Sequence, residues 1–227
     1  MGLRSRGFLT YNSRMDPQTI MHYLTFIPTF AMAIACHECA HAATALAFGD
    51  PTAARQGRVS LNPLVHLDLM GTLALFVIGI GWAKPTPVDP RYFRHRWAEL
   101  CVSAAGPVSN VLLALAAGVL LRTPLLFQAF HAIGIADVAG IVLETFVYTN
   151  LLFAFFNFLP LPPLDGSHVL EQLLPAGPAA RLHRFYRSVG SLLLIGLILS
   201  ERLLHMSLLS PLVYQPTRFF SALLIPA

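Results

Sequence analysis

The sequence predicts an all-α polytopic membrane protein, and three observations predict it. Of 227 residues 56% are hydrophobic and 11% charged, where a soluble domain carries about 25% charged residues. Mean hydropathy is +0.64. The apolar residues gather into runs long enough to cross a bilayer, which takes about 17 to 25 residues, and backbone groups in lipid must be satisfied within their own segment, so such runs are helices.

The elements follow in chain order. Residues 1–19 form a polar leader with Arg4, Arg6 and Arg14. The first span, Ile20 to Phe48, is too long for a signal-peptide core and contains ionisable residues, so it is expected to be retained. An insertion, 49–99, is broken by Gly57, Pro63, Gly71, Gly79, Gly81, Pro85, Pro87 and Pro90. Within it Arg58-Val59-Ser60-Leu61 alternates polar and apolar as a short strand does, and Leu69 to Trp82 is an apolar piece too short to cross, suited to a re-entrant or half-buried position. The stretch from Arg58 to Pro87 is therefore expected to be β-like and to offer a strand edge to an unwound peptide. The second span is 100–121, the third 138–161 and the fourth 189–204, with Leu125 to Ile135 a further short apolar piece. If the short pieces crossed, the spans would number five or six. Residues 20–209 are expected to form one domain and 210–227 a tail.

Fifteen basic against eleven acidic residues leave a net charge of +4, but the fourteen Arg and one Lys are dispersed among apolar runs, which makes nucleic acid a poor partner. Four spans put Gly49 to Glu99 and Asp165 to Ser188 on one side with nine basic residues, against six on the other, so these loops are expected to be cytoplasmic. Three cysteines, all in apolar segments, build no disulfide framework. Cys36 and Cys39 are read as small packing residues.

His37-Glu38-Cys39-Ala40-His41 stands in the first span as an HExxH pattern. Residues four apart lie one turn apart on one helix face, so both imidazoles can reach one Zn²⁺ with Glu38 beside its water. Ionisable groups in a bilayer cost about 2.5 to 3.5 kcal/mol each on insertion scales, which argues for a use. Two histidines leave a tetrahedral ion needing another protein ligand and an open position. Asp165, in Asn157-Phe158-Leu159-Pro160-Leu161-Pro162-Pro163-Leu164-Asp165-Gly166, is the candidate. Spans one and three run in the same direction, so the exit of each lies on one side. A solvated turn is the competing reading of Asp165-Gly166.

An early HExxH paired with a later Asn-x-x-Pro-x-Pro-x-Leu-Asp-Gly stretch resembles the site-2 protease family of intramembrane zinc metalloproteases. Further pieces are similar to its short prokaryotic branch: Gly49-Asp50-Pro51, Gly57-Arg58-Val59-Ser60-Leu61-Asn62-Pro63, His66-Leu67-Asp68, Gly81-Trp82-Ala83-Lys84-Pro85 and Ala105-Gly106-Pro107-Val108-Ser109-Asn110. The resemblance covers about Ala35 to Pro175. It implies one Zn²⁺ per chain held by His37, His41 and Asp165, with Glu38 as general base and acid and Asn157 orienting substrate or stabilising the oxyanion. It implies a three-span catalytic core in the cell inner membrane, with the active site toward the cytoplasm and transmembrane proteins as substrates. Arg122 to Asp137, sixteen residues, leaves no room for a PDZ module, and no CBS domain is expected after Leu204. Asp68-Leu69-Met70-Gly71 departs from the family's Asp-Pro pattern, and no catalytic consequence is expected.

Two other readings stay open from sequence: a catalytically silent binder of membrane proteins, against which the intact set argues, and a metal transporter or sensor, for which span two offers few polar residues. Among the remaining polar residues, His66 and Asp68 are expected to hydrogen-bond within the loop rather than add ligands, and Asn110 to satisfy backbone at a closely packed kink. Glu144 and Asn150 must face protein or water. His168 is read as a loop residue and Phe153 to Phe158 as apolar bulk.

Overall fold

A computed structural model describes residues 17–78, 81–174, 179–204 and 207–226, and among them the chain is helical with no strand. In order the helices are α1 (Pro17–Ala47), α2 (Thr52–Arg55), α3 (Leu69–Ile78), α4 (Ala98–Leu121), α5 (Pro124–Ala132), α6 (Ala136–Asn157), α7 (Asp165–Leu173), α8 (Ala179–Leu204) and α9 (Gln215–Leu224). Of the polar leader, residues 1–16 lie outside the described residues and Pro17–Thr19 belong to α1.

Among the described residues, three helices, α1, α4 and α6, are long and apolar enough to cross a membrane, and they pack against one another pairwise. Small residues let them approach: Ala33, Ala42 and Ala45 of α1, Ala114, Ala117 and Gly118 of α4 and Ala154 of α6 are buried. Leu112, Leu115 and Val119 of α4 and Ile141 of α6 point outward, where lipid is their solvent. The expected fourth span, 189–204, falls within α8 (Ala179–Leu204). Leu194 of α8 closes a second core with Leu159, Leu164, Leu209 and Val213. The third span ends at Asn157 rather than Leu161, because Pro160 has no N–H to continue the ladder and biases Leu159 away from helix.

The insertion corrects one expectation. Arg58 to Leu61 is not a strand, and pairing among the described residues of the insertion is an isolated antiparallel bridge between Leu67 and Ala83. The alternation runs the wrong way for a strand packed on a core. Arg58 is buried (3% exposed) and Val59 and Leu61 are exposed (42% and 59%). The buried guanidinium donates to the carbonyls of Val65 and Lys84, tying both arms of the insertion together. His66 and Asp68 serve the same loop: His66 Nε2 pairs with Ser60 O at 2.8 Å, and Asp68 Oδ1 accepts from Gly71 N at 2.7 Å, capping α3.

Asp50 fastens the insertion to the first span. It is fully buried three residues beyond α1, where its Oδ1 accepts from Thr52 N at 2.9 Å and its Oδ2 from Asp89 N at 2.7 Å. Burial pushes its carboxyl up, but the bonds from Thr52 and the Asp89 backbone outweigh this and hold it below the usual carboxylate range. A depressed carboxylate stabilises the fold at neutral pH and loses that contribution as acidification passes through its lowered pKa. Asp50→Asn is therefore expected to lower the thermal midpoint at pH 7 and to flatten its fall with acid. An unchanged midpoint and unchanged acid dependence would contradict this account.

Candidate metal centre

His37 and His41 stand one turn apart on α1, ten and six residues before its last residue. At 1.5 Å per residue this puts them about 15 and 9 Å inside the helix exit. Asp165 reaches the same depth because the chain does not leave at the end of α6. It turns through Phe158–Leu164 and begins α7, whose first residue is Asp165 and whose far end lies near the start of α4, where Gln172 donates to Glu99. A carboxylate in the first turn also suits the helix dipole. Gly166 is required there: a Cβ would stand 2.3 Å from Phe158 O and 2.5 Å from Leu159 O, so any side chain would push α7, and Asp165 with it, off the turn.

One ligand atom from each of the three residues lies within 4.8 Å of the others. His37 Nε2 is 3.0 Å and His41 Nε2 3.4 Å from Asp165 Oδ2, and the two Nε2 atoms are 3.1 Å apart. Three further observations test whether a cation fits. His41 Nδ1 lies 2.7 Å from the carbonyl of Val102, which can only accept, so Nδ1 carries a proton and the neutral ring has its Nε2 lone pair for a cation. Asp165 Oδ2 is buried without a hydrogen-bond partner, a state that costs free energy unless a cation compensates it. Gly106 of α4 faces the pair, and a Cβ there would lie 2.3 Å from His41 Nε2 and 2.6 Å from His37 Nε2. The two nitrogens and one oxygen, converging on a space kept clear by a glycine, suit a tetrahedral metal with an open position.

Glu38 is next to the set and is held from the insertion. Its Oε2 accepts from Thr86 Oγ1 at 2.7 Å and from Thr86 N at 3.1 Å. The site opens on a cleft of about 550 Å³, bounded by the insertion between Gly81 and Phe93 and by Phe153, Asn157 and His168. Asn157 donates from Nδ2 to Phe153 O at 2.9 Å.

The model of peptidase family M50 matches residues 25–198. The chain belongs to family M50. It is 43% identical over 175 residues to "Putative zinc metalloprotease YwhC" of Bacillus subtilis, covering 73% of this chain and 75% of that one. It is 33% identical over 154 residues to "Putative zinc metalloprotease Rip2" of Mycobacterium tuberculosis, and 32% identical over 158 residues to the protein of that name in Mycolicibacterium smegmatis. Both matches cover 66% of this chain and 57% of the relative. No solved structure matches.

In this M50 member the structure brings together His37, His41 and Asp165 and lines the adjoining cleft with Glu38 and Asn157. Sequence reasoning missed four neighbours. Asn110 Oδ1 is 2.7 Å from His37 Nδ1, so it touches an imidazole rather than only repairing a kink. Phe153 packs edge-on against the His37 ring with centroids 5.0 Å apart, and is not mere bulk. Thr86 holds Glu38, and Gly106 leaves the space between the imidazoles. His168 stands on α7 rather than in a loop, 3.4 Å from Glu171. Glu144 is exposed on α6, while Asn150 is fully buried.

Proposed function

We propose that this M50 member is a zinc-dependent intramembrane endopeptidase that cleaves transmembrane proteins within or near their spanning helices, with residues 20–209 as its catalytic domain. The observation that carries the reading is the convergence of His37 Nε2, His41 Nε2 and Asp165 Oδ2 beside Glu38, within the length of the first spanning helix and beside an open cleft. His37, His41 and Asp165 would hold one Zn²⁺. Bound there, zinc supplies a Lewis acid for the scissile carbonyl and brings the pKa of water down toward about 7.

The protein's own groups do the rest. Glu38, with Oε2 engaged by Thr86, has Oε1 left to take the proton from water and return it to the leaving amine. Asn157 spends one amide hydrogen on Phe153 O, and the other is available to a substrate carbonyl or the developing oxyanion. Water reaches the site from the insertion side, and the excess of basic residues there supports a cytoplasmic placement. Thr86→Val keeps the backbone donor and removes the hydroxyl bond to Glu38. It is expected to slow cleavage about tenfold, the equivalent of a hydrogen bond to a charged group, with zinc content unchanged and Thr86→Ser near the parent rate.

The test is made on the purified full-length chain in proteoliposomes. Elemental analysis should find one zinc per chain, and a panel of candidate single-span proteins should include some that are cut. A chelator such as 1,10-phenanthroline should stop cleavage and added Zn²⁺ restore it. A chain that takes up no zinc, or that cuts nothing when loaded, removes the proposal.

A further inference from the structure

The tautomer of His41 is set by a backbone carbonyl, but His37 faces a side-chain amide whose two ends could be exchanged. The neighbours of that amide remove the ambiguity. Asn110 Nδ2 lies 3.1 Å from Ala33 O of α1 and 2.8 Å from Asn150 Oδ1 of α6. Asn150 Nδ2 lies 2.9 Å from Phe146 O. Ala33 O and Phe146 O are carbonyls and can only accept. The nitrogen of each asparagine must therefore face its carbonyl, and turning either amide over would set acceptor against acceptor. That leaves Asn110 Oδ1 against His37 Nδ1, which must be the protonated ring nitrogen. Both asparagines are fully buried (0% exposed), where an unmatched amide is costly.

From this chain of bonds we infer that Asn110 and Asn150 are positioning residues: a buried amide relay from Phe146 O to His37 that fixes the Nδ1–H tautomer and keeps the Nε2 lone pair aimed at the metal. The relay gives His37 what Val102 O gives His41, so both imidazoles are held ready before an ion arrives. A group that orients a ligating histidine in this way is commonly worth 10- to 100-fold in metal affinity. The relay also joins all three spanning helices at the level of the site.

The inference rests on the zinc reading for its consequence, and the experiment separates the two. In metal-free protein with ¹⁵N-labelled histidine, NMR should find His37 protonated at Nδ1. Zinc titration should then show Asn110→Leu, which has no acceptor, weakened about 10- to 100-fold. Asn110→Gln keeps both an amide oxygen for His37 and an amide nitrogen for Ala33 O, and should lose less than Asn110→Leu. Asn150→Leu should lose less, and should add nothing to Asn110→Leu, because its effect passes through Asn110. Helix content and thermal midpoints of the metal-free variants report packing separately. Parental zinc affinity in Asn110→Leu, equal losses in the Leu and Gln variants, or a metal-free His37 protonated at Nε2 each overturns the relay. A parent chain that binds no zinc defeats the metalloprotease reading instead, while the tautomer of its His37 still decides the relay.

Discussion

Gly106→Ala is expected to abolish zinc binding outright while leaving the helices folded. The added methyl carbon would lie 2.3 Å from His41 Nε2 and 2.6 Å from His37 Nε2. Zinc bonds imidazole nitrogen at about 2.0 to 2.1 Å, so the methyl would occupy essentially the ion's own position. The rings cannot retreat without breaking their Nδ1 bonds to Val102 O and Asn110 Oδ1, both 2.7 Å long. Alanine is the better helix former by about 1 kcal/mol, so helix propensity predicts the opposite sign. Elemental analysis beside circular dichroism makes the measurement, with metal content near zero and helix content unchanged as the expected pair. A variant that retains one zinc per chain would show that the ion does not sit between these two histidines.

Glu38→Gln should have the largest effect on rate with the least effect on binding. The two side chains have the same shape, and glutamine keeps an oxygen that can accept from Thr86 Oγ1, so the cleft and the three proposed metal ligands are undisturbed. What is lost is the ability to carry a proton between water and the leaving amine, a role commonly worth about 10² to 10⁴ in rate. The variant should bind zinc as the parent does and leave a substrate helix essentially uncut. Cleavage within a few-fold of the parent would mean that another group is the base.

Much of the site was legible because its information is local. His37 and His41 declare themselves by spacing on one helix face, and Asp165 by a proline-rich stretch that must end a helix on the same side. The positions of α4 and α6 followed from run length alone. What escaped were contacts whose partners are remote in sequence: Asn110 with His37, 73 residues apart, and Thr86 with Glu38, 48 apart. Helical periodicity tells which residues share a face but not which face meets which. Gly106, read only as part of the Ala105–Asn110 motif, gains its meaning when α4 is laid against α1. The strand reading at Arg58 failed because alternation cannot tell an exposed arginine from one buried under two carbonyls.

The three acceptor atoms come from the first spanning helix and from a residue beyond the third. During synthesis, then, a growing chain has two of the three proposed metal ligands from residue 41 onward, and lacks the last until residue 165 has been made and turned back to depth. On the proposed reading, hydrolytic competence waits for the turn beyond the third spanning helix, and a product truncated before that turn lacks the carboxylate that completes the site.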